Sequence, residues 1–119
     1  MNNNSHKTIL VVEDQREIAE SMNAMLIHKG YRVVNAKDAE GAMKIAEESR
    51  PTMILTDLDL PTLTQLLDKL RTHDGLKHMP VAVIDLDHPK EERPGLNILN
   101  NFDQLDDLLS AHTDGHGAP

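Results

Sequence analysis

Two short apolar runs that each stop on an acid constrain this chain most. Thr8–Val12 (TILVV) is uncharged and rich in β-branched residues, and Glu13 and Asp14 end it. Residues 53–56 (MILT) have the same character, and Asp57 ends them. A run without polar alternation suits a strand buried on both faces, and such strands belong to parallel sheets covered by helices.

The segments between these runs support that reading. From Gln15 to about Lys29 the apolar positions are Ile18, Ala19, Met22, Met25 and Leu26, and steps of three and four make one helical face. Asp14 is expected as the N-cap, with Glu17 three residues later as in a capping box, and Gly30 as the stop. Residues 32–36 (RVVNA) read as a second strand. A helix over 38–50 turns Ala42, Met43, Ile45 and Ala46 inward, and Pro51 ends it. LDLP after Asp57 reads as a turn, and a third helix over 63–72 buries Leu63, Leu66, Leu67 and Leu70. Strands are expected at 81–86 (VAVIDL) and 97–100 (NILN). A last helix over 102–112 buries Leu105, Leu108 and Leu109.

This strand–helix alternation predicts an α/β fold, a doubly wound five-stranded parallel sheet with right-handed crossovers. The 119 residues suit one domain over 8–112, with a disordered lead-in at 1–7 and a flexible tail at 113–119. Ligands of such sheets bind at the carboxyl ends of the strands, where the strand order reverses. Glu13, Asp14 and Asp57 occupy such ends.

Composition narrows the function classes. A net charge of −8 argues against direct nucleic-acid binding, which needs clustered Lys and Arg. The absence of Cys excludes disulfides, thiolate chemistry and Cys-based zinc sites. No apolar run approaches the roughly 20 residues of a membrane span, and the polar first residues carry no signal-peptide pattern. A cytoplasmic protein is expected. The seven histidines show no zinc-like spacing on a firm element, and His73, His78 and His88 read as exposed loop groups.

The acids admit two readings. Singly, Asp14 is a helix cap and Asp57 and Asp59 are turn residues. Together, they crowd like charges, which at about 4 Å repel by roughly 4 kcal/mol at an effective dielectric near 20. A divalent cation relieves that repulsion, and Mg²⁺ takes one or two carboxylates plus waters. A carboxylate beside such an ion can attack a phosphoryl group and form an aspartyl phosphate.

The stretches ILVVEDQ and MILTDLDLP resemble the receiver domain of bacterial response regulators. The resemblance covers residues 8–72 well and the remainder poorly. It implies the receiver strand order 2-1-3-4-5 and phosphoryl transfer to Asp57 from a histidine kinase or phosphotransfer protein. It further implies that Asp14 ligates Mg²⁺ directly, that Glu13 acts through a metal-bound water and that Asp59 offers its backbone carbonyl. Pro61 then shapes the loop after the acceptor. A receiver is a phosphoacceptor rather than an enzyme, and it signals to a downstream protein partner.

The second half departs from that family. Asp85 stands where the family carries Thr or Ser. Asn100, followed by Asn101 and Phe102, replaces the family's Lys. Asn97 replaces the switch aromatic. The link 87–96 contains Pro89 and Pro94 and is short for a parallel crossover, which usually needs about a dozen residues or more. The fourth helix is therefore expected to be missing or reduced to a loop. Self-association is one way to cover the sheet face this leaves. Lys90 or Arg93 could stand in for the missing Lys, and Asp85 could join a metal site that takes Mg²⁺ or another divalent cation such as Ca²⁺. Two further readings follow: a pseudo-receiver acting as a phosphorylation-independent interaction module, and a hydrolase using Asp57 and Asp59. The second lacks a cap insert and carries its acids on the third strand.

Overall fold

The computed structural model describes residues 7–57, 60–84, 97–99, 104, 105 and 107; for residues 57, 60–62 and 97–99 it describes the backbone alone. The strands are β1 (Thr8–Val12), β2 (Arg32–Ala36), β3 (Met53–Asp57), β4 (Val81–Ile84) and β5 (Asn97–Leu99). The helices are α1 (Arg16–His28), α2 (Ala39–Ser49) and α3 (Leu60–Arg71). Residues 104, 105 and 107 are also helical. The strands form one parallel sheet in the order β2-β1-β3-β4-β5, as expected. The expected loss of a fourth helix concerns residues 85–96, which lie outside the described residues, as do the lead-in to residue 6 and the tail from 113.

The unbroken apolar runs are explained by burial on both faces of the sheet. Ile9 and Val11 pack with Met22, Leu26, Tyr31, Met53, Leu55 and Leu105 on the α1 face. Leu10 and Val12 pack with Ala39, Ala42, Ala46, Ile54, Leu66 and Leu70 on the face of α2 and α3. Consecutive residues of β1 thus serve opposite cores, as the two-residue strand period requires. Among the described residues no helix is long and apolar enough to cross a membrane.

The helix ends show where local sequence acts. Gly30 sits at φ 96. Its amide donates to the Ile27 carbonyl at 2.9 Å, and the Tyr31 amide donates to the Leu26 carbonyl at 3.1 Å. That is a Schellman stop, and the buried Tyr31 and Leu26 share one core, its usual hydrophobic partner contact. Asp38 caps α2 by accepting from the Gly41 amide at 2.7 Å. Arg50 closes α2 in the left-handed conformation, φ 48, before Pro51.

Three expectations are corrected. The N-cap of α1 is Gln15 rather than Asp14, and it makes no side-chain cap bond. α3 begins at Leu60, so Pro61 lies in its first turn rather than in a loop. Proline is tolerated there because the first amides of a helix have no intrahelical acceptor. Met25 is 45% exposed instead of inward-facing, because the buried stripe of α1 is narrow and carried by Met22 and Leu26.

Candidate functional site

The site is built from the ends of neighbouring central strands. Val12 pairs with Ala36 on one side and Thr56 on the other, the last pair of each ladder. Glu13 and Asp57 each follow directly on that row. Glu13 donates its amide to the Ala36 carbonyl at 3.0 Å, so β1 is still held to β2 where the acids begin. Asp57 is the last residue of β3 and stands level with Ile84, which pairs with Leu99. Asp85 and Asn100 come next in the chain after those two residues. Asp59, Asp85 and Asn100 lie outside the described residues. Asn97 opens β5, in register with Ala82.

The acidic pair divides its work. The Gln15 amide donates to the Glu13 carboxylate, Oε2, at 3.0 Å. The partly buried Glu13 thus meets the positive end of α1, where a carboxylate is stabilising. Asp14 is exposed and does not cap α1. A groove of about 450 Å³ beside the pair is lined by both acids and, among others, Arg16, Asn23 and Lys37. Asn23 Oδ1 is buried and has no hydrogen-bond partner among the described residues.

Behind the acids lies a residue that sequence reasoning passed over. Thr56 is only 3% exposed and donates its hydroxyl to the Val12 carbonyl at 2.9 Å. The signal available was a hydroxyl ending an otherwise apolar run. His73 was also under-read: its ring meets Glu47 and the Gly75 amide. His78 is exposed, as expected. Among the described residues no three His, Cys, Asp or Glu side chains converge to hold a metal. Of the four expected ligands they supply the side chains of Glu13 and Asp14 alone.

A parallel sheet in this order, with acids at the ends of its first and third strands, is the arrangement that the resemblance to receiver domains implies. The comparisons agree with that class. Residues 9–105 match the family model of the response regulator receiver domain, and the chain belongs to that family. It is therefore a receiver domain of the two-component kind.

Histidine kinase P4 of Formosa agariphila is 29% identical over 79 residues, covering 65% of this chain and 6% of that protein. The polar-differentiation response regulator DivK of Brucella anthropi is 28% identical over 80 residues, covering 66% of this chain and 65% of DivK. The chain thus spans less than two thirds of either relative. The receiver domain of a sensor histidine kinase from Pseudomonas aeruginosa PAO1 superposes with a TM-score of 0.72 and 25% identity. The match covers 88% of this chain and 95% of that domain, whose active site cleft coordinates a magnesium ion.

Proposed function

We propose that Asp57 accepts a phosphoryl group from a partner histidine kinase or phosphotransfer protein, with Mg²⁺ at the acidic pair. The observation that carries this reading is the register: Val12 and Thr56 are paired, and the residues that follow them are Glu13 and Asp57. A carboxylate oxygen of Asp57 bonds to phosphorus as the phosphorus–nitrogen bond to the donor imidazole breaks, and the freed nitrogen takes up a proton.

The donor set suits a hard cation. Glu13, Asp14 and Asp57 offer carboxylates and Asp59 its backbone carbonyl, all oxygen. Asp14, exposed and unused by α1, is the direct ligand. Glu13 acts through a water while its Oε2 stays on the Gln15 amide. When bound, the ion neutralises charge on the transferring group. The magnesium ion in the Pseudomonas domain supports this assignment.

The chain is a phosphoacceptor, with self-catalysed gain and loss of the group as its whole chemistry. Its readout differs from the family pattern, because Asp85, Asn97 and Asn100 replace the hydroxyl, the aromatic and the lysine that the family uses. Its working unit is residues 8–112, its setting the cytoplasm, and its output a downstream protein. A homodimer is the proposed assembly, which light scattering tests.

Incubation with Mg²⁺ and a small phosphodonor tests the main reading by intact mass. A single phosphoryl adduct that Asp57→Asn abolishes is the expected result. Absence of any adduct on the folded wild-type chain overturns it.

A further inference from the structure

We infer that Thr56 is a positioning residue of the phosphoacceptor site, its hydroxyl fixing the end of β3 against the end of β1. The inference rests on the reading that Glu13, Asp14 and Asp57 form that site. Thr56 precedes Asp57, Val12 precedes Glu13, and the two form the last pair of the β1–β3 ladder. The β1–β3 ladder ends at this pair, and the end of a ladder is where it frays most easily. The Thr56 Oγ1 to Val12 carbonyl bond of 2.9 Å, fully buried, adds a side-chain tie at that point.

The other end of the same strand pair supplies the contrast. There Thr52 Oγ1 accepts from the Thr8 amide at 3.3 Å, and the Thr52 amide donates to the Thr8 carbonyl at 2.7 Å. β3 is therefore tied to β1 by a threonine at each end. Thr52 and Thr56 are four residues apart, about 13 Å along a strand. Loss of either tie weakens the pair, but Thr56 alone adjoins the acids. A hydroxyl at 56 thus does something that burial does not require, since a valine would fill the same space among apolar neighbours.

The test compares Thr56→Val, Thr56→Ala, Thr56→Ser and Thr52→Val with the wild type. Amide hydrogen exchange at Glu13, Asp14 and Asp57 is the first readout, and Mg²⁺ affinity from amide shifts is the second. Thr56→Val is expected to speed exchange at those amides and to weaken Mg²⁺ binding, each by about fivefold, the factor that one net hydrogen bond represents. Thr56→Ser is expected to restore both. Thr52→Val is expected to leave both unchanged at the site.

If Thr56→Val does not fold, Thr56→Ala against Thr56→Ser isolates the hydroxyl at nearly constant volume. The inference is overturned if the valine or alanine variant behaves as wild type, if serine fails to restore, or if Thr52→Val has the same effect at the acids. Should the wild type bind no Mg²⁺ and take up no phosphoryl group, the phosphoacceptor reading fails. The exchange contrast still decides whether Thr56 holds the strand ends.

Discussion

His73 Nε2 lies 2.6 Å from Glu47 Oε2, and this contact joins α2 to the segment that follows α3. The other ring nitrogen fixes its chemistry. The Gly75 amide donates to Nδ1 at 3.1 Å, so Nδ1 must carry a lone pair and the ring proton sits on Nε2. His73→Ala is expected to cost about 1 kcal/mol, because it removes both bonds at a partly exposed place. Glu47→Gln should cost less than about 0.5 kcal/mol, since its amide oxygen can still accept. Urea unfolding of the two variants separates these outcomes, and equal losses would contradict the tautomer.

Arg50 should be replaceable with profit. It holds φ 48 without being glycine, at the end of α2. A left-handed residue with a Cβ is penalised by about 1–2 kcal/mol, whereas glycine loses about 0.5–1 kcal/mol through its freer unfolded chain. Arg50→Gly is expected to raise stability by roughly 0.5–1 kcal/mol, read as a higher urea midpoint with an unchanged slope.

Gly30 gives the opposite case. At φ 96 it completes the Schellman stop of α1, and the adjoining Tyr31 is buried against Leu26. Gly30→Ala is expected to cost about 1–2 kcal/mol. A stability equal to wild type would mean that α1 can end in another way.

Asp14 and Asp38 look alike in sequence, each an acid just before a helix, and differ in the fold. Asp38 accepts from the Gly41 amide and Asp14 is not a cap. Asp38→Ala should therefore cost about 1 kcal/mol of stability and leave Mg²⁺ binding alone. Asp14→Ala should change stability by no more than about 0.5 kcal/mol. It should weaken Mg²⁺ binding about tenfold or more, since one unit charge beside the ion is lost. Thermal melts with and without Mg²⁺ read both effects, and a melt lowered without the ion by Asp14→Ala would return that residue to a capping role.

The strands were legible because burial on both faces leaves an unbroken apolar run, and TILVV and MILT have no other comfortable place. Their order followed from the alternation with helices and from the receiver motifs around Asp57. Gly30 was readable because its role depends on local backbone, whereas Asp38 was read as the first residue of α2 and is its cap. The cap of α1 was misplaced because Asp14 and Gln15 compete for one position, and the Glu13 carboxylate reaches forward to the Gln15 amide, a contact no spacing rule contains. α3 started early because a proline excluded from a helix interior is acceptable in its first turn. Thr56 and His73 were missed for a common reason: their partners, Val12 and Glu47, are distant in sequence.

The position of β1 has a consequence for how the chain is made. β1 precedes the other strands in the chain, yet it lies inside the sheet, paired with β2 on one edge and β3 on the other. Neither edge can close when β1 is first synthesised. The second edge waits for Met53 to Thr56, and the loop to be closed spans most of the intervening chain. Long-range parallel pairing of this kind is slow to nucleate. The shortest stretch from β1 onward that can pair both of its edges therefore ends at Thr56, so the partners of this central strand are complete one residue before the proposed acceptor.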